Sequence, residues 1–524
     1  MPIPDDGNNI EADQLLVHRS NGKSNGVASN GRHSNHIETA PNGSAIEEYH
    51  QPPSGPIDNK ESYDYESDIK KDNIPTREGI DGTTTALGGT FIVSNAAIGC
   101  GALAFAHAFK EAGGLYVGVI MIFVCACLCS LSLLICGYVC GLCRSSEFHE
   151  MGRELLGWVA ELLLQLCLVV ANLAACTMYF VIIGDQLELI FIRTTGPEYF
   201  CSDPWFFNRK LTIFLATVIC VYPLLLVKKV DFLKYPSLIS VGSMIYLMIA
   251  VVIKYFLDGE EVHDKVELNY QPDNWYSAFN AFPTILFGYQ CMTNAPPVYA
   301  NLKKKTSATW LQITSGTILI CTVVYLPTAL FGYLTHGTRI TSNILKAYNP
   351  DETLIFIGQI GVMASVMMTY PVVFYVARNA FDPMYTGVRK LFDTSYDPMA
   401  WSTRRRIIEA TCWYLLTLVL GLFIPNIGVA MNFAGSVAVF FYFVFPGAFL
   451  VKIGYSRREE LGDNLMRFVI FVGALLFAFG CALFIQGNYL ALETVLSSKS
   501  EPSFCEQRKL DAEAALTTTP FPGP

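Results

Sequence analysis

Two short stretches carry the residues whose types and spacing suggest binding chemistry. One is Ser94-Asn95-Ala96-Ala97-Ile98-Gly99-Cys100-Gly101, and the other is Phe287-Gly288-Tyr289-Gln290. Each sets glycine inside a long apolar run, where it weakens a helix by roughly 0.5–1 kcal/mol relative to alanine. A helix that unwinds there frees N–H and C=O groups. In lipid such groups are tolerated only where they line a cavity or meet a ligand. The chemistry on offer is recognition by bare backbone, with N–H groups for an anionic end and carbonyls for a cationic end. Covalent catalysis is not signalled, because no nucleophile–base pair stands out. Cys140 and Cys143 have a CxxC spacing, but no second pair and no histidine cluster accompanies them, which argues against zinc.

The elements that position these stretches read as membrane helices. Of the 524 residues, 52% are hydrophobic and 15% charged, against about a quarter charged in soluble domains. Eleven apolar spans are expected near 84–109, 115–141, 158–191, 210–227, 236–256, 277–299, 308–334, 352–377, 405–424, 427–451 and 467–490. The loops after the even spans hold seventeen Lys and Arg, from Arg144 to Arg458, whereas the loop after span 9 holds none. That asymmetry puts the N-terminus in the cytosol and Cys201 and Cys505 on the other side, where a bridge between them is open. Residues 1–80 contain no Phe, Trp or Cys and carry 14 acidic against 7 basic side chains. They read as a disordered acidic cytosolic tail without a cleavable signal peptide. No basic stripe suggests nucleic acid.

The spans fall into two halves, 84–257 and 277–452, followed by an eleventh helix at 465–490 and a short extracytosolic tail at 491–524. Five spans per half is an odd number, so the halves have opposite orientation. Each opens with a glycine-interrupted span, and such pairing is the best sequence pointer to a transporter site. Glycine also lets helices approach closely, but its recurrence in spans 1 and 6 favours binding. The chain reads as an all-α, multi-pass membrane protein with a 5+5 inverted repeat plus one helix.

The Ser94–Gly101 motif resembles the first helix of the sodium-coupled neutral amino acid transporters, in the amino acid/auxin permease superfamily. Residues Phe279 to Cys291 look like that family's sixth helix, and Ile183-Gly184-Asp185-Gln186-Leu187 and Met368-Thr369-Tyr370-Pro371 also fit. The similarity runs from about 82 to 490 and is nearest to the glutamine-preferring branch. It implies a leucine-transporter-type fold and sodium-coupled uptake of small neutral amino acids by alternating access. Gly99, Cys100 and Gly101 would then offer backbone donors to the substrate. Phe287, Gly288, Tyr289 and Gln290 would face its side chain, with Gln290 either bonding an amide or joining helices. Sodium, the coupling ion unless a proton replaces it, would be held by Asn95, Ile98, Ser365 and Thr369. Asn95 lies four residues before Gly99, so one helix face is expected to carry both. The alternative for Thr369 is a hydroxyl bonded back to its own helix. His107 is a candidate pH-responsive group, and Glu161, Gln165 and Asn172 are polar positions on span 3.

A competing function is an amino-acid-sensing receptor that signals through the N-terminal tail; an enzyme is not expected. Glu11-Ala12-Asp13-Gln14-Leu15-Leu16 resembles an acidic dileucine sorting signal. Plasma membrane and endosomal or lysosomal membranes are both open.

Overall fold

The computed structural model describes residues 82–202, 208–226, 234–258, 266–272, 274–392, 403–424, 426–496 and 505–506. The 1–80 tail, its dileucine motif and most of 491–524 lie outside these residues. Among the described residues no β-strand forms, and the chain is helical nearly throughout. Eight of the described helices are long and apolar enough to cross a membrane, or nine spans if one bent pair counts as one.

The bent pair comes first, as α1 (Ala86–Ala97) and α2 (Phe105–Glu111). Then come α3 (Leu115–Cys143), the short amphipathic α4 (Phe148–Leu156) and α5 (Trp158–Thr195). Next, α6 (Arg209–Ala216) runs through a π-turn at Thr217–Val221 toward Pro223, and α7 (Lys234–Leu257) follows. The segment predicted at 277–299 is a 3-10 stretch at Trp275–Ala281, then α8 (Phe282–Gly288), then α9 (Ala295–Ala300). It and the α6 segment are helical but are not among the eight continuous apolar helices.

The rest comprises α10 (Ser307–His336), the loop helix α11 (Ile344–Ala347), α12 (Thr353–Phe392) and α13 (Thr403–Phe423), then α14 (Ile427–Val439), α15 (Phe445–Ser456) and α16 (Asp463–Leu496). Helix α12 continues well past the predicted end of its span at 377. Arg378 and Asp382 on that extension meet Arg405 and Glu409 of α13, with Arg405 Nε 2.6 Å from Glu409 Oε1. Charge ends a membrane span, but it need not end a helix.

Large apolar side chains stay exposed around the bundle, among them Phe468, Phe471, Leu475 and Ile485 on α16. Their proper solvent is lipid. Inside, small residues admit large neighbours, as TM helix packing requires. A Cβ on Gly137 would sit 2.1 Å from the Trp310 ring nitrogen, and that indole donates to Leu133 O at 2.8 Å.

The two interrupted segments run antiparallel. Thr84 exchanges backbone bonds with Asn301 and Lys303, so the start of the first lies beside the end of the second. Leu115 and Tyr116 donate to Asn269 and Tyr270 carbonyls, which pairs the other two ends. Cys201 and Cys505 are joined by a disulfide with Cα atoms 5.6 Å apart, and that end of the bundle is called the disulfide face below.

Candidate functional site: two helix breaks in contact

Helix α1 stops at Ala97. Ile98 still donates to Ser94 O at 2.8 Å, but its ψ of 100° turns the chain out of the helix, and Gly99 is fully extended. A 3-10 turn over Cys100–Ala104 restarts the coil without a side-chain cap, and the two halves meet at 47°. A restart of this kind leaves its first N–H groups without helical partners. Asn95 is in the last turn of α1 and Gly99 is beyond its end, so the two do not share a helix face as the four-residue spacing had suggested.

The second break has a sequence cause. Pro296 and Pro297 lack N–H groups and so cannot bond back to Met292 and Thr293. They do fit the first turn of a new helix, which begins at Ala295. Between Gly288 and that restart, the N–H groups of Tyr289 and Gln290 make short-range bonds to Leu286 and Phe287 carbonyls.

The breaks touch through glycine. A Cβ on Gly101 would fall 2.8 Å from Gly288 Cα, and one on Gly288 would fall 2.2 Å from the Phe105 ring. Gly99 differs, because its nearest neighbour would be Ala97 O at 3.9 Å. Close approach therefore requires glycine at 101 and 288, whereas Gly99 borders open space.

Two tyrosines not singled out from the sequence bind the freed backbone. Tyr325 of α10 places its hydroxyl 2.7 Å from both Ala97 O and Gly288 O, one carbonyl from each break. Tyr442, in a π-turn at Phe440–Val444, donates to Tyr289 O and accepts from Cys291 N at 3.1 Å. Pro446 explains the π-turn. It cannot donate to the carbonyl four residues back, Tyr442 O, which accepts from Ser132 Oγ instead. The available signal was a tyrosine four residues before a proline inside an apolar run.

The other predicted residues divide. The Tyr289 ring is buried, its hydroxyl 2.9 Å from Thr322 Oγ1, and it meets Tyr325 edge-on. Phe287 packs on the core edge, and Cys100 is buried. Gln290 Oε1, Asn95 Oδ1 and Ser94 Oγ are buried without a hydrogen-bond partner among the described residues. Thr369 Oγ1 donates to Ser365 O at 2.8 Å. No hydrogen bond joins Asn95 to Ser365 or Thr369 among the described residues. His107 lies 3.8 Å from Glu111, Glu161 pairs with Arg153 at 3.7 Å, and Asn172 bonds its own helix at Leu168 O. No charged side chain occurs in 94–104 or 282–294. The junction offers neutral dipoles only, which fits a guest whose charges cancel.

Toward the disulfide face, a loop closes over the 3-10 turn. Its helix α11 packs there, with Ile344 and Leu345 fully buried. Lys346 Nζ lies 3.2 Å from Asp185 Oδ1 and 2.9 Å from Glu188 Oε2, Arg209 Nη1 lies 2.7 Å from Asp185, and Asn343 donates to Asp185 Oδ2 at 3.1 Å. Burial works against the Lys346 charge, but the Asp185 and Glu188 carboxylates hold its pKa above the usual lysine value.

Comparisons with known proteins identify the family. The family described as "Transmembrane amino acid transporter protein" matches residues 82–486. The zebrafish protein named "Sodium-coupled neutral amino acid transporter 7" is 31% identical over 423 residues, which is 80% of this chain and 90% of that one. Its human counterpart is 31% identical over 78% of this chain and 88% of its own. Human "Solute carrier family 38 member 8" is 26% identical over 70% and 85%. Among solved structures, MhsT in complex with L-phenylalanine aligns with 79% of this chain and all of its own, at 14% identity and a TM-score of 0.48. The chain belongs to the transmembrane amino acid transporter family, and it is a transporter rather than an enzyme.

Proposed function

We propose that this chain is a secondary active carrier of small neutral L-amino acids, glutamine favoured, coupled to sodium and working by alternating access. The observation that carries this is the meeting of two broken helices at Gly101 and Gly288, with a freed carbonyl from each on one hydroxyl. A zwitterion needs anion-binding N–H groups and cation-binding carbonyls but no net countercharge, and an uncharged junction suits it. The names of the relatives support neutral substrates and sodium.

In this reading the segments at 209–225 and 275–300 also cross, which makes eleven spans. The antiparallel course of the two broken segments supports two inverted five-span halves. A disulfide persists in oxidising surroundings, which supports an extracytosolic disulfide face and a cytosolic N-terminus, in the plasma membrane or an endosomal or lysosomal one. Sodium is held by Asn95, the Ile98 carbonyl, Ser365 and Thr369. The unpartnered Asn95 oxygen supports this, since sodium, like other hard cations, takes oxygen ligands.

The test is labelled glutamine uptake into vesicles containing the purified chain. An inward sodium gradient raises the initial rate, and Asn95→Ala and Thr369→Ala each raise half-saturating sodium by about tenfold or more, the loss of one ion contact worth ~1.4 kcal/mol. Uptake indifferent to sodium and to both substitutions rejects the sodium assignment. Dependence on a proton gradient instead transfers the coupling to protons.

A further inference from the structure

Two glutamines in the seam between α5 and α12 are buried without use. Gln186 and Gln359 are both 0% exposed. The amide oxygen and nitrogen of each lack any hydrogen-bond partner among the described residues. Buried amides are almost always bonded, so four idle atoms in one seam call for a guest.

The register places them within about two turns of one another along the seam. Arg193 of α5 donates to Pro350 O at 3.2 Å and to Thr353 Oγ1 at 3.1 Å, and its guanidinium lies 4.1 Å above the Phe356 ring. Gln186 is seven residues before Arg193, two turns along the same stripe and about 10 Å deeper. Gln359 is about 5 Å deeper than Phe356 and about 9 Å deeper than Thr353. Seven residues further along the α5 stripe stands buried Tyr179, near Cys100 at the first break. Asp185, the neighbour of Gln186, is held by Lys346 and Asn343 of the closing loop. The glutamine pair thus stands between the closing loop and the breaks.

Resting on the transporter reading, we infer that Gln186 and Gln359 form a recognition station for a primary carboxamide, the side chain of glutamine or asparagine, on the route from the disulfide face to the breaks. A carboxamide carries one acceptor carbonyl and an NH2 donor, and each glutamine presents the complementary pair. A cation would meet two NH2 groups as close as the two oxygens. A carboxylate would find no positive partner at this level, because Arg209 and Lys346 are engaged by Asp185 and Glu188. A substrate without the amide leaves the station unpaired, and sites of this kind discriminate strongly against such analogues.

The experiment compares labelled L-glutamine and L-alanine uptake by the full chain in vesicles, for wild type, Gln186→Met and Gln359→Met. Methionine keeps the side-chain length and removes the amide. Glutamine KM rises by about ten- to hundredfold in each variant, while alanine KM stays within about twofold. Gln186→Asn, one carbon shorter, serves the same comparison if a Met variant fails to purify as monodisperse protein. An unchanged ratio of the two KM values, whether both hold or both rise together, overturns the inference and leaves the pair as water ligands or packing. Wild-type protein that moves alanine but not glutamine also overturns it. Wild-type protein that moves neither rejects the transporter reading instead.

Discussion

Replacing Gly101 with alanine puts a methyl group 2.8 Å from Gly288 Cα. Ordinary carbon contacts lie at about 3.5–4.0 Å, so the broken helices must part by about 1 Å. Neither can yield cheaply. The contact is with main chain, and the Gly288 side of the junction is backed by the buried Phe105 ring, itself 4.7 Å from Tyr325. Overpacking of this kind costs about 1–3 kcal/mol. At ~1.4 kcal/mol per factor of ten, the folded state loses about five- to hundredfold in its equilibrium over the unfolded one. The same shift pulls Ala97 O or Gly288 O away from the hydroxyl they share. The assay is the melting temperature of the purified protein together with initial uptake in vesicles. Gly99→Ala is the internal comparison. Its methyl would be 3.9 Å from the nearest atom and its backbone suits any residue, so the melting temperature holds. Gly101→Ala protein that melts and transports like wild type would refute the claim that glycine-on-glycine contact sets the spacing of the breaks.

Three further outcomes follow from the geometry. Tyr325→Phe keeps the ring contacts with Phe105 and Tyr289 but leaves two buried carbonyls without their hydroxyl; a loss of about 1–3 kcal/mol should show as slower uptake by correctly folded protein. Lys346→Met strips a cation from Asp185, which is 3% exposed, and should lower the melting temperature by the equivalent of about 3 kcal/mol or less, since Lys346 itself is 21% exposed. Because the folded pKa of Lys346 is raised, this closure is complete below the usual lysine pKa of about 10.4 and fades as pH climbs through the higher value; alkaline melting curves of wild type and Lys346→Met should therefore converge.

The apolar runs and the two glycine interruptions were legible because length and composition alone decide what can cross lipid. The rest depended on contacts that sequence does not encode locally. Tyr325 lies 228 and 37 residues from the two carbonyls it serves and Tyr442 lies 153 from its own, and helices apolar on all sides show no stripe to reveal which tyrosine points inward. The i, i+4 argument for Asn95 and Gly99 failed because it assumed a helix through the very residues that end it. Pro296 and Pro297 were a readable cue to the second break. Tyr289 was expected beside a substrate; that its hydroxyl meets Thr322 of α10 was not legible, because the two lie 33 residues apart.

The Cys201–Cys505 bond closes a circle of chain, 304 residues in separation, that encloses every helix from α6 to α16. A protease cutting any one connection in that circle would leave two fragments that travel together until a thiol reductant is added. The outlying helix α16, much of it facing lipid, is moored at its far end by covalent linkage and cannot drift from the bundle even where its own packing is thin.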